Sequence, residues 1–311
     1  MKIDYIAFDS FGVKSSCLRI VTKDVKITID PGIALETGSF PLKEREKIFL
    51  KRKYSEKIKT SCKTSDIIVI THYHYDHYLP RLDFYENKIL LIKDPKKNIN
   101  KSQKNRAKNL LDIIKGKIKR LEIADGKTFK FGKTKIKFSK AVWHGPRGTA
   151  LGKVIMLTID DGKQRVLYSS DVDGPYLSQY IDYILKEKPN VIILDGAPTY
   201  LLGYIMSFSN LEKCVRNTIK LIEKTSKKTK IILDHHLLRD YRYRELYYEV
   251  YKKAKELKKR VNTAAEELGK EPMCLSGLKK NGPTKWKKWE NCSFQKFKEM
   301  ENQIKEAKLK P

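Results

Sequence analysis

Through the first third of the chain, apolar and polar positions alternate in short blocks. IDYIAFDS, SSCLRIVT and DVKITIDPG carry the β-branched content and period of strands, and Asp30-Pro31-Gly32 closes the last of them. A basic helical stretch follows. DIIVITH (Asp66 to His72) and KILLIKDP (Lys88 to Pro95) then read as fully buried strands, and residues 98–115 have helical composition with Leu110, Leu111, Ile113 and Ile114 near the end. TFKFGKTKIKFSKAVWH alternates with period two about Gly132, which predicts a hairpin. A second hairpin is predicted in KVIMLTIDDGKQRVLYSSD, with Asp161-Gly162 as its two-residue turn.

Two more buried strands, NVIILDG (Asn190 to Gly196) and KIILDHH (Lys230 to His236), bracket a helix. A capping box from Ser209 to Glu212 starts it, and Leu211, Val215, Ile219 and Ile222 share one face. From Tyr243 onward, Leu246, Val250, Ala254, Leu257, Val261, Ala264 and Leu268 recur at spacings of four and three, which predicts one long helix docked on the core. The last forty residues, with Gly277, Gly282, Pro283 and the Trp286–Trp289 pair in a lysine-rich setting, show no motif. Strands and helices alternate, so the class is α/β, and the hairpins make the sheets mixed.

Composition changes the picture in one respect, charge. The 311 residues carry 66 Lys plus Arg against 37 Asp plus Glu, a net +29, and 24 of these charges lie in segments 43–63, 93–120 and 251–311. A clustered positive field points to an anionic substrate, RNA or DNA among the candidates. Lysine-rich surfaces are also a habit of heat-adapted proteins, although here Lys outruns Glu. At 40% apolar the chain can bury a large core, which excludes a wholly disordered tail. No apolar run reaches the roughly 18 residues of a membrane span, and MKIDYIAFDS has no signal-like apolar region, so the expected location is cytoplasmic without membrane contact. Five scattered cysteines without a C-x-x-C pair indicate reduced, mostly buried thiols and no disulfide framework.

All six histidines fall at or beside predicted strand ends: His72, His74 and His77 after DIIVIT, His144 after KFSKAVW, His235 and His236 after KIIL. Four potential ligands within Thr71-His72-Tyr73-His74-Tyr75-Asp76-His77 converge only if their loop folds round a metal. Imidazole and carboxylate without thiolate favour zinc, with manganese and iron as the other candidates.

H-x-H-x-D-H after a buried strand resembles the signature of the metallo-β-lactamase-fold hydrolases. The superfamily's other motifs stand in the right order around it: Asp30 in ITIDPG on a preceding strand, then His144, Asp171 in VLYSSDVDG, and a histidine in IILDHH. The match covers about residues 1–240, and the whole chain is similar to an archaeal family within that superfamily described only as hypothetical metal-dependent hydrolases. The resemblance implies a four-layer αββα sandwich with two mixed sheets as a catalytic domain over 1–250, followed by a basic, mainly helical extension over 251–311. It implies two divalent metals, one on His72, His74 and His144, the other on Asp76, His77 and the last histidine, with Asp171 between them and Asp30 holding a ligand loop. For the last ligand His235 is chosen over His236, because in the related transfer-RNA 3′-processing nucleases the ligand directly follows the strand's last polar residue, here Asp234.

Asp76, also a ligand, and His236 are the candidate catalytic side chains, His236 as a general acid or an orienting group. Arg147, in H-G-P-R-G, is the nearest loop cation for a substrate phosphate or carboxylate. Two metals about 3.5–4 Å apart activate a shared water and polarise the oxygen under attack. The reaction expected is hydrolysis of a phosphodiester, with a small anionic ester, thioester or lactone as the alternative, and a nucleic-acid-binding protein with structural metals as the non-enzyme alternative.

Overall fold

The computed structural model describes residues 1–203 and 205–284. Two sheets form its middle. In the first, β1 (Lys2–Phe8), β2 (Ser16–Val21) and β3 (Lys26–Ile29) make an antiparallel meander, and β4 (Ile67–Ile70), β5 (Ile89–Ile92) and β6 (Arg120–Ile123) extend it in parallel, in the order β1-β2-β3-β4-β5-β6. Helices α1 (Glu44–Lys63) and α2 (Lys101–Ile114) make crossovers between parallel strands, as parallel pairing requires.

The second sheet repeats the plan. The hairpin of β7 (Thr128–Phe131) and β8 (Thr134–Phe138) turns at Gly132, whose φ of 57° suits glycine. A small pair, β9 (Val142–Trp143) with β10 (Lys153–Val154), stands outside it. Strands β11 (Leu157–Asp160) and β12 (Arg165–Tyr168) continue antiparallel, and β13 (Val191–Asp195) and β14 (Lys230–Asp234) add in parallel, with α3 (Ser178–Glu187) and α4 (Phe208–Lys224) as crossovers. The second hairpin is present, but four residues, 161–164, separate its strands. The Asp161 side chain accepts from the Lys163 and Gln164 backbone and replaces the expected two-residue turn. Helix α4 is capped by Ser207, which accepts from Asn210 N, and not by Ser209.

The long helix expected from Tyr243 is instead four elements: α5 (Tyr243–Leu246), α6 (Tyr248–Glu256), the strand β15 (Val261–Asn262) and α7 (Ala264–Glu267), with α8 (Met273–Asn281) beyond. Lys258 takes a left-handed φ of 52° after α6, β15 pairs in parallel with β14, and Thr263 starts α7 with its own capping box. Apolar spacing was satisfied by short pieces docking one after another. Val261–Asn262 thus supply the edge strand of the second sheet, in the order β15-β14-β13-β12-β11-β8-β7. The Trp286–Trp289 pair and Cys292 lie outside the described residues; Cys17, Cys62, Cys214 and Cys274 are buried and free.

Alternation along the central strands explains the layering. Val191 and Ile193 of β13 join a core shared with β4, β5, α1 and α2, whereas Ile192 and Leu194 join a second core with α3, α4 and α6. The two sheets face each other with helices outside both, a four-layer αββα sandwich. Strands covered on both faces read as continuous apolar runs, IIVI and VIILD, for that reason. No described helix is long and apolar enough to cross a membrane.

Candidate metal centre

The parallel strands of both sheets end at one rim. Asp30 follows β3, His72 begins two residues after β4, Asp171 three after β12, Asp195 closes β13 and His235 follows β14; His144 follows β9. Backbone and side-chain polar groups freed at such strand ends are what a site at the carboxyl edge of an α/β sheet uses.

Two nests of ligand atoms share Asp171. In the first, His72 Nε2 and His74 Nδ1 are 3.1 Å apart, His144 Nε2 and His74 Nδ1 3.2 Å, and Asp171 Oδ2 stands 3.3 Å from His72 Nε2 and 3.4 Å from His144 Nε2. In the second, Asp171 Oδ1 is 2.9 Å from His77 Nε2 and 3.2 Å from His235 Nε2, these nitrogens are 3.2 Å apart, and Asp76 joins them. Tetrahedral ligands at 2.0–2.1 Å from one cation lie about 3.3–3.4 Å from each other, close to these separations. Both Asp171 oxygens are buried without a hydrogen-bond partner. A buried carboxylate aimed at four imidazole nitrogens and hydrogen-bonded to none fits a divalent cation at each oxygen.

A model of the Beta-lactamase superfamily domain matches residues 26–236. A UPF0282 protein of Methanocaldococcus jannaschii is 42% identical over 293 residues, covering 90% of this chain and 96% of its own, and one of Methanopyrus kandleri is 38% identical, covering 90% and 98%. The chain belongs to the UPF0282 family of the beta-lactamase superfamily. An isothiocyanate hydrolase from Delia radicum gut bacteria, 13% identical with a TM-score of 0.50 over 82% of this chain and 95% of its own, shares the fold.

In this UPF0282 chain a ring of side chains stands behind the nests. Asp30 accepts from His77 Nδ1 (2.8 Å), Thr71 N (2.8 Å), Thr71 Oγ1 (2.6 Å) and Tyr168 OH (2.9 Å), which fixes the His77 ring and the end of β4 together. His236 lies close to Asp171 and His235 but is held from its other side, Nδ1 standing 3.0 Å from Asp195 Oδ1 and 3.3 Å from Asp173 Oδ1. Strand alternation does not separate the two histidines, because the chain leaves β14 directly into a short 3-10 helix, His235–Arg239, with His235 at φ 61° and Asp234 capping its N–H. Asp30, Ser170 and Asp173 also have positive φ, so left-handed backbone gathers at this rim. Arg147 is exposed, three residues beyond His144.

Sequence reasoning missed four participants. Asp9 binds His235 Nδ1 at 2.7 Å and Arg239 Nε at 2.6 Å, and Arg239 in turn reaches Asp76 Oδ2 at 2.8 Å. Asp173 stands 3.3 Å from His144 Nδ1, and Asp195 orients His236. Only Arg239 carried a signal, an arginine inside the apolar run after His236; Asp9, Asp173 and Asp195 looked like ordinary loop and strand-end residues.

Burial works against every charge here, and the partners decide the outcome. It depresses the His72 pKa to about 4, with His77 adding to the effect, and takes His74 well below the usual range, helped by His72 and His144. At His77 it is outweighed by Asp171 and Asp30, which raise the pKa to about 10; His144 and His235 are raised likewise by Asp173 and by Asp171 with Asp9. Asp171 stays ionised despite burial because of His77, His235 and His72, and Asp76 because of Arg239 and His77. Without a cation the carboxylates are therefore ionised while His77, His144 and His235 hold their protons, so a cation binds these rings by displacing protons.

Proposed function

We propose that this chain is a dinuclear metal-dependent hydrolase, zinc its first candidate metal, and that it cleaves a phosphodiester. The observation that carries the proposal is Asp171, each of whose unbonded oxygens faces its own set of histidines. His72, His74 and His144 would hold one cation, Asp76, His77 and His235 the other, with Asp171 shared. Bound there, the pair would supply Lewis acidity and an acidified water. The chain's own groups do the rest: Asp30 and Asp9 keep the Nδ1 atoms of His77 and His235 engaged so that the Nε2 atoms point inward, and Arg239 fixes Asp76. His236, oriented by Asp195, hands a proton to the leaving group.

The choice of a phosphodiester is supported by charge. Helix α2 exposes Lys101, Lys104 and Lys108, and its first turns are bound to the ligand loop: Gln103 accepts from Tyr73 N at 3.0 Å and donates to Leu151 O at 2.7 Å, and Arg106 donates to Tyr73 O at 3.3 Å. A positive surface tethered to the centre concentrates anionic substrate. The test is to incubate the full chain, with zinc or manganese, with bis-p-nitrophenyl phosphate, a thioester and a lactone. Fastest turnover of the phosphodiester is expected. A dominant rate on the thioester or lactone would replace the substrate class, and no turnover of any would leave a nucleic-acid-binding protein with structural metals.

A further inference from the structure

The loop leaving β3 forms a wall of the centre. A Cβ at Gly32 would stand 2.2 Å from His77 N, so loop and ligand loop touch backbone to backbone, and Ile33 N donates to Tyr75 O at 2.9 Å. Ala34 and Lys14 exchange both backbone hydrogen bonds, at 2.9 and 3.2 Å. Two residues on, Glu36 is 6% exposed, and neither of its carboxylate oxygens has a hydrogen-bond partner. Lys14 makes no ion pair with any described residue, although it lies in the fields of Arg239, Glu36 and Asp76; Glu36 lies in those of Asp9, Arg239, Lys14 and His235. Ser15, next to Lys14, donates its backbone N–H to Asp9 Oδ2 at 3.1 Å and its Oγ to Gly32 O at 2.7 Å, so this pair of loops borders the corner where Asp9, Arg239 and Asp76 meet.

A buried carboxyl group with no hydrogen-bond partner is a costly arrangement, and the fold has not removed it by pairing Glu36 with the nearby lysine. A ligand that brings its own donors removes the cost on binding. We propose that Glu36 and Lys14 form a substrate-binding subsite beside the second nest, Lys14 taking an anionic group and Glu36 accepting hydrogen bonds from hydroxyls carried next to it. The inference rests on the hydrolase proposal and narrows it to hydroxylated phosphates. The ribose of a nucleotide and a sugar phosphate share that chemistry, and the arms of the test separate them. A solvated or purely structural Glu36 would show no dependence on ligand hydroxyls.

The experiment is calorimetric binding to the zinc-loaded full chain of adenosine monophosphate and its 2′-deoxy counterpart, and of ribose 5-phosphate and 2-deoxyribose 5-phosphate, with bis-p-nitrophenyl phosphate turnover measured alongside. One hydroxyl hydrogen bond to a buried carboxyl group that otherwise has no partner predicts about tenfold tighter binding of the hydroxylated member. Glu36→Ala is expected to bring each pair to a single affinity, Glu36→Gln, which preserves volume, to shrink the difference, and Lys14→Met to weaken all four ligands about tenfold. The pair showing the larger difference identifies the nucleotide or the sugar phosphate. Equal affinities in the wild-type chain, or a difference that survives Glu36→Ala, would overturn the subsite. Discrimination without turnover would reject phosphodiester hydrolysis and keep the subsite; turnover without discrimination would do the reverse.

Discussion

Replacing Asp171 by Asn keeps the side chain's size and removes its charge and one of its two acceptor oxygens. Because Oδ2 faces His72 and His144 while Oδ1 faces His77 and His235, the substitution weakens both nests at once. Four-donor zinc sites bind with about 10–16 kcal/mol, roughly 2.5–4 kcal/mol per donor, so the cation that loses its oxygen should be held about a hundred- to a thousandfold more weakly, and the other, facing a neutral amide oxygen, more weakly by a smaller factor. Asp30→Asn alters only the hydrogen bond to His77 Nδ1 and its neighbours, and should cost about ten- to a hundredfold at the second nest alone. The two variants are compared at one pH, since Asp171 and Asp30 both raise the His77 pKa and a proton there competes with the cation. Equilibrium dialysis against buffered zinc, followed by elemental analysis, counts the ions, with bis-p-nitrophenyl phosphate turnover as the second readout. Two cations held at wild-type affinity in Asp171→Asn, or a larger loss in Asp30→Asn, would refute the shared-carboxylate geometry.

Three further outcomes are expected. His235→Ala should release the second cation, whereas His236→Ala should keep both and lower turnover about 10²- to 10⁴-fold; the opposite result by elemental analysis would exchange their roles. The Asp9 pKa is lowered to about 2, because Arg239 and His235 outweigh burial. A depressed carboxylate stabilises the fold above its unfolded pKa near 3.8 and loses that contribution as pH falls through 2, so denaturant unfolding of metal-free Asp9→Asn should show a deficit of roughly 2 kcal/mol at pH 6 that closes toward pH 2; a pH-independent deficit contradicts this. Gly32→Ala would press a methyl group against the backbone of Asp76, His77 and Tyr78, so its thermal midpoint and its metal content should fall together, and wild-type values for both would show that the loops can part.

What a sequence displays is local period and chemical type, and at this centre both were legible. IIVI and VIILD announced strands buried on two faces, and T-H-Y-H-Y-D-H gathered its donors within one loop, so that part of the nests could be named before any fold was known. Where period was ambiguous the sequence misled: the spacing from Leu246 to Leu268 suits a helix, but the edge of β14 offered Val261 and Asn262 hydrogen bonds that an isolated helix could not match. The partners of the ligands were likewise invisible, because Asp9 meets His235 across 226 residues and Arg239 meets Asp76 across 163. Only the stacking of two sheets, with their parallel strands ending at one rim, brings such residues within hydrogen-bond reach. The same packing left Glu36 buried and unbonded, since burial and pairing are properties of the closed sandwich and no period along the chain encodes them.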